Sequence, residues 1–151
     1  AAVTLLKQYL TKLNVKFVKV VDVMRLVPEY AHPHGMKDAE FDKLFTKDKP
    51  VVFNFHGYPK VVHELTYKRA NQNFHVSGYM EEGTITTPFD MRVLNKTDRY
   101  NQVLKILKYI KVPAKTKEEI TAKMQQKLAE HNAYIRKFGI DMPEIRNWRW
   151  Y

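Results

Sequence analysis

Cysteine is absent from this 151-residue chain. That removes disulfides and thiolate metal ligands, and it fits a reducing cytoplasm. Glycine is scarce, at five residues, and none of the five falls into G-x-G-x-x-G or G-x-x-x-x-G-K-[ST]. Those are the loops whose backbone amides cradle phosphates, so a nucleotide-binding loop of either kind is excluded. No apolar run approaches the length that spans a bilayer, and the opening residues do not read as a signal peptide. Concentrated charge is missing too. The 26 basic and 16 acidic residues leave +10 overall, distributed as +3, +3 and +4 over residues 1–50, 51–110 and 111–151. A nucleic-acid binder gathers its charge into a patch or an arm. The reading is therefore neither nucleic acid nor membrane as partner, but a basic solvated surface, or a piece parted from acidic regions.

What remains is ample for a core. Apolar residues make up 44% of the chain, and a domain of this size buries roughly two thirds of its unfolded surface. Helical spacing of Val3, Leu6, Leu10 and Leu13 predicts a helix over residues 1–13, ended by Asn14. Residues 15–23, VKFVKVVDV, read as a strand buried on both faces. Pro28, Pro33 and Gly35 make 25–36 a loop, and Phe41, Leu44 and Phe45 point to a short helix over 38–45. A second strand is expected at 51–55, then a helix opened by Pro59 and running to about Arg69. Residues 74–79 are a third strand and 80–86 a loop.

Thr87-Pro88-Phe89-Asp90 reads as a helix start, with a threonine cap, a proline and then a carboxylate near free amides. Thr97 caps a further helix bearing Tyr100, Val103, Leu104, Leu107 and Ile110. Thr116-x-x-Glu119 is a capping box for the last helix, whose stripe is Ile120, Met124, Leu128, Ile135 and Phe138. Gly139 ends it, Pro143 prevents resumption, and a tail with two tryptophans is expected to pack on something. Alternating strands and helices predict an α/β fold, a three-layer α/β/α arrangement with a mostly parallel, possibly mixed sheet. The chain opens on a helix with no strand before it, and its first residue is not methionine. The expectation is a single domain over residues 1–151, excised from a larger protein and lacking its first strand.

Six histidines raise the question of metal, but none forms the i, i+4 pair with a nearby glutamate of a helical zinc site. His56 follows a buried strand, the place where ligands gather in open α/β sheets. It has no serine or cysteine nucleophile standing out as its partner. The competing reading is a histidine that hydrogen-bonds a neighbouring loop and fixes the turn. Tyr58 lies in the same turn. Glu81 and Glu82 are adjacent, so in an extended chain they point apart and do not share one acid–base site. They read as an exposed or interface loop. Thr84, Thr86 and Thr87 offer hydroxyls beside a helix start suited to anions, yet Asp90 already brings negative charge there. Arg69, Arg92 and Arg99 read as partners for carboxylates at an interface, or as solvated groups.

Several separated blocks, in order, carry a resemblance: HGYP at residues 56–59, LTYKRAN at 65–71, HVSGYMEEGTITTPFDM at 75–91, VLNKTDR at 93–99 and DMPEIRNWRW at 141–150. Over nearly its whole length the chain resembles the C-terminal domain of phosphoketolase (xylulose 5-phosphate/fructose 6-phosphate phosphoketolase). The resemblance implies a fold similar to the transketolase C-terminal domain. It also implies a larger enzyme that uses thiamine diphosphate and magnesium to convert a ketose phosphate and phosphate into acetyl phosphate, an aldose phosphate and water. In such an enzyme the cofactor lies between two upstream thiamine-binding domains of a dimer. The Gly-Asp-Gly and later asparagine that hold magnesium and diphosphate are absent here. The chain is therefore expected to carry no catalytic, cofactor or metal residue. His56, Tyr58, Glu81, Glu82, Thr86, Thr87 and Asp90 are its candidate interdomain or anion-contact residues. The partners implied are the upstream domains and at least one further copy of the enzyme, in the cytoplasm. The alternative is a module that binds a phosphorylated effector without catalysis.

Overall fold

The computed structural model describes residues 1–80 and 84–149. Mixed helix and strand with a parallel two-stranded sheet make it an α/β fold, as the alternating pattern predicts. The chain divides into two units, Asn14–Tyr79 and Ala1–Leu13 with Met80–Tyr151.

In the unit Asn14–Tyr79, a 3-10 turn at Val23–Leu26 precedes helix α2 (Asp38–Phe45), strand β1 (Val51–Asn54), helix α3 (Pro59–Thr66) and strand β2 (Phe74–Ser77). The strands pair in parallel, Val51 opposite Phe74 and Asn54 opposite Ser77. Phe41, Phe45, Phe53 and Phe74 pack together with Leu26, Met36 and Val62 as the core. Asp38 and Glu40 lie in the first turn of α2, where they complement the positive helix end. Pro59 opens α3, where its missing N–H costs nothing.

The polar framework of this unit is built on two side chains. The Arg69 side chain is 1% exposed. Its Nε donates to the Leu26 carbonyl at 2.9 Å, Nη2 to the carbonyls of Val27 and Met36 at 2.5 and 3.0 Å, and Nη1 to Asp38 at 2.6 Å. The guanidinium also lies 4.3 Å from the centre of the Phe41 ring. Arg69 is thus not solvated: one planar fork gives the carbonyls of Leu26 and Met36 a donor and adds a second to the Val27 carbonyl, which also accepts from Met36 N at 3.0 Å. Asn71 does the same for the end of α2, donating to the carbonyls of Phe45 and Lys49 at 2.8 and 3.0 Å.

In the other unit, helices α1 (Ala2–Tyr9), α4 (Pro88–Leu94), α5 (Arg99–Ile106), α6 (Ala114–Phe138) and α7 (Pro143–Arg146) surround Leu6, Phe89, Tyr100, Val103, Leu107, Ile120 and Met124. Gly139 ends α6 in the left-handed conformation, φ 67°, as expected of a glycine there.

Four local expectations are corrected. Residues 15–23 join no ladder; they run irregularly into the 3-10 turn. Asp98, not Thr97, caps α5, because a carboxylate accepts from both Tyr100 N and Asn101 N, at 2.8 and 3.0 Å. Helix α6 begins at Ala114 after Pro113, so Thr116 and Glu119 lie inside it rather than forming its cap. Pro143 does not block a helix but starts one, as the first residue of α7. The tail does pack: Arg99 lies 5.0 Å from the Trp148 ring. Trp150 is outside the described residues.

Arg69→Met keeps the bulk of the side chain and removes every donor. It is expected to lower unfolding stability by about 2–4 kcal/mol in urea titration. A loss below roughly 0.5 kcal/mol, the range of an ordinary surface change, would show that the fork is dispensable.

Candidate functional site

The candidate residues fall into two places. His56 and Tyr58 follow β1 in the unit Asn14–Tyr79. Thr86, Thr87 and Asp90 are at the start of α4 in the other unit. Glu81 and Glu82 lie outside the described residues.

Beyond the carboxyl ends of β1 and β2 the pairing continues, Phe55 N donating to Ser77 O at 2.8 Å and Tyr79 N to Gly57 O at 2.9 Å. The approach at Gly78 is so close that a Cβ there would sit 2.2 Å from the Gly57 oxygen and 3.0 Å from the Pro59 ring. Only glycine permits it. Held by this contact, the His56 ring hydrogen-bonds through Nε2 to the Tyr79 hydroxyl, and the rings meet edge to face at 5.0 Å. Tyr58 meets Tyr79 the same way at 6.4 Å. The result is an aromatic platform at the end of a parallel sheet. His56 spends one nitrogen on a tyrosine that fixes its orientation, and Ser77, the nearest hydroxyl on β2, is buried.

At α4 the chain supplies its own anions. Thr87 Oγ1 accepts from Asp90 N at 3.3 Å and donates to Asp141 Oδ1 at 2.5 Å. Phe89 N donates to Asp141 Oδ2 at 3.2 Å, and Thr86 Oγ1 donates to Asp90 Oδ2 at 2.8 Å. The amides and hydroxyls that would greet a phosphate are therefore engaged by Asp141 and Asp90. Asp90 Oδ1 also lies 3.3 Å from Nε2 of His131, whose side chain is 1% exposed. Beside them is a surface groove of about 670 Å³, with Lys96 and Arg136 among its lining residues.

Sequence reasoning passed over His131 and Asp141. His131 stands three residues after Leu128 and four before Ile135, on the apolar stripe of α6, so its burial was readable from spacing alone. Asp141 gave no signal, because its partners are 52 and 54 positions away.

Magnesium diphosphate does not fit these residues. The sequence lacks Gly-Asp-Gly, and among the described residues no group of three or more His, Asp or Glu side chains is placed to hold a metal ion.

Burial, followed by the neighbouring Glu144 carboxylate, pushes the Tyr100 hydroxyl from 10.0 up to about 12. The hydroxyl donates to Glu144 Oε1 at 3.2 Å. A raised folded-state value means that the native state holds this proton more tightly than the unfolded chain. The stability it contributes is complete below pH 10.0 and is lost as pH rises through about 12. Ultraviolet titration is expected to show Tyr100 ionising near 12, with Tyr100→Phe removing that step. If all tyrosines ionise together near 10.0, the burial of this hydroxyl is wrong.

The family model described as the XFP C-terminal domain matches residues 1–150. Among curated relatives, a "Probable phosphoketolase" of Clostridium acetobutylicum is 53% identical over 151 residues, covering 100% of this chain. A "Probable phosphoketolase" of Rhodopirellula baltica is 52% identical, and a "Probable phosphoketolase 2" of Rhizobium meliloti 51% identical, each over 99% of this chain. In every case the matched stretch is only 19% of the relative's own length. The chain belongs to the XFP C-terminal domain family.

Proposed function

We propose that this chain is the C-terminal domain of a thiamine-diphosphate-dependent phosphoketolase, and that it supports catalysis carried out elsewhere in the longer protein. The observation that carries the reading is the pairing of near-complete coverage of this chain with 19% coverage of relatives named phosphoketolase. The complete enzyme converts xylulose 5-phosphate or fructose 6-phosphate, with phosphate, to acetyl phosphate, an aldose phosphate and water. Thiamine diphosphate with magnesium supplies the carbanion stabilisation, held by upstream domains in an assembly of at least two copies. We place the enzyme in the cytoplasm; no helix among the described residues is long and apolar enough to cross a membrane.

The domain proposed here spans residues 1–151. Its contribution is an interface. Tyr58 presents an exposed aromatic face, and His56 is fixed beside it by Tyr79. Exposed aromatics on a rigid frame are efficient contacts, since little side-chain freedom is lost on docking. Glu81, Glu82, Thr86, Thr87 and Asp90 form the second part of the proposed contact set. The engagement of Thr87 and Phe89 N by Asp141 favours this reading over an effector module, because an incoming phosphate would first have to displace a carboxylate.

Charge reversal of Glu81 and Glu82 to lysine in the complete enzyme tests the interface role. The expected result is lower acetyl phosphate production or weaker assembly. Unchanged activity together with unchanged assembly would remove these residues from the interface. A complete enzyme that made no acetyl phosphate from either ketose phosphate would remove the function itself.

A further inference from the structure

Charge that is even over thirds of the chain is uneven at shorter range. Between Asp98 and Glu118 there is no acidic residue, while Arg99, Lys105, Lys108, Lys111, Lys115 and Lys117 are all basic. Lys105 stands in the last turn of α5, and α6 then opens with no acidic residue in its first turn. Helix starts ordinarily favour carboxylates there, so the run holds cations where the backbone already supplies positive charge.

Within this run Lys105 and Lys108 are held together. Lys108 N donates to the Lys105 carbonyl at 3.1 Å, closing a tight turn just past α5. Residues three apart in such a turn lie on the same side. Lys105 is half-buried between Leu104 and Ile106, which pack on the core of the unit, and Lys108 is exposed. Burial first, and then the Lys108 ammonium, hold the Lys105 amine below the usual lysine value. A desolvated lysine beside a second cation is the arrangement that makes the amine a nucleophile.

Lys127, in the same unit, is the contrast. Its Nζ lies 3.1 Å from Glu130 and 3.4 Å from Glu144. The hydrogen bond to Glu130 holds its ammonium above the usual lysine value, so the lone pair is withheld. The sign of the neighbouring charge separates the two lysines.

We propose that Lys105 is a covalent modification site, whose Nζ takes an acetyl group from acetyl phosphate. The source of that acyl phosphate rests on the phosphoketolase reading; the reactivity of the amine does not. The Nζ lone pair attacks the acetyl carbon, the bond from that carbon to the bridging oxygen breaks, and phosphate leaves with the electron pair. The amine proton passes to water and an amide remains, with no change of oxidation state. The run without carboxylates favours the encounter, because an incoming dianion meets the exposed Lys108 and Lys111. The product carries one positive charge fewer among six.

The complete enzyme, incubated with synthetic acetyl phosphate, tests the site, with acetylation of each lysine followed by mass spectrometry. Lys105 is expected to react about 5-fold or more faster than Lys127, and the difference to close in urea, where burial and neighbours are lost. Lys108→Gln is expected to slow Lys105 by about 2-fold or more, since it removes the cation beside the amine and one that attracts the dianion. Lys105 reacting no faster than Lys127 would overturn the proposal, as would a Lys105 rate that Lys108→Gln leaves unchanged. A second sample receives thiamine diphosphate, magnesium, xylulose 5-phosphate and inorganic phosphate instead. Acetyl phosphate formed there without preference for Lys105 would remove the site and keep the phosphoketolase reading. Preference for Lys105 with the synthetic reagent, but no acetyl phosphate formed in the second sample, would keep the reactive amine and remove that reading.

Discussion

The unit Asn14–Tyr79 depends on one buried guanidinium. Between the 3-10 turn and α2 the chain is irregular, and irregular backbone beside a core leaves carbonyls that must be satisfied. Arg69 meets three of them, from Leu26, Val27 and Met36, and pairs with Asp38 at the start of α2. Its flat face rests on Phe41, which packs against Phe45 and Phe74. Phe74 is the first residue of β2 and stands opposite Val51 of β1. The sheet end that orients His56 and Tyr79 is thus continuous, through aromatic packing, with a cation that never reaches solvent. A lysine in the same place would offer a point charge and no fork, and would leave some of those carbonyls unbonded.

Much of this was legible in the residues. Apolar spacing placed α2 at residues 38–45, where it lies, and Pro59, Thr87 and Gly139 marked helix ends through properties that belong to single residues: a fixed φ, a short hydroxyl, a missing Cβ. The failures share a cause. VKFVKVVDV has strand composition, but a ladder needs a neighbour, and no local pattern reveals whether one is present. Thr97 and Asp98 both qualify as caps by type; which one accepts depends on where the turn begins. Arg69 read as a partner for carboxylates at an interface or as a solvated group; it does pair with Asp38, but its other three acceptors are backbone carbonyls, which carry no sequence signature. Asp141 was invisible because its partners lie more than fifty positions away. The family blocks, by contrast, were readable directly, and the family model matching residues 1–150 shows the membership they pointed to.

The two candidate places teach different things about function. At the start of α4 the pattern suited to an anion is present, but the protein's own carboxylates fill it, which makes it a clasp between α4 and the segment before α7. At the end of the sheet, glycine lets the two connections touch, and the touch positions aromatic rings without any nucleophile or metal donor set among the described residues. The first ties two segments of one unit together, and the second fixes aromatic rings at the end of the sheet.

The most direct measurement is made on this chain by itself, supplied with thiamine diphosphate, magnesium, xylulose 5-phosphate and inorganic phosphate. If the domain only supports machinery housed elsewhere, acetyl phosphate stays at the level of the protein-free control. Sustained formation of acetyl phosphate, in proportion to the amount of chain added, would contradict that account.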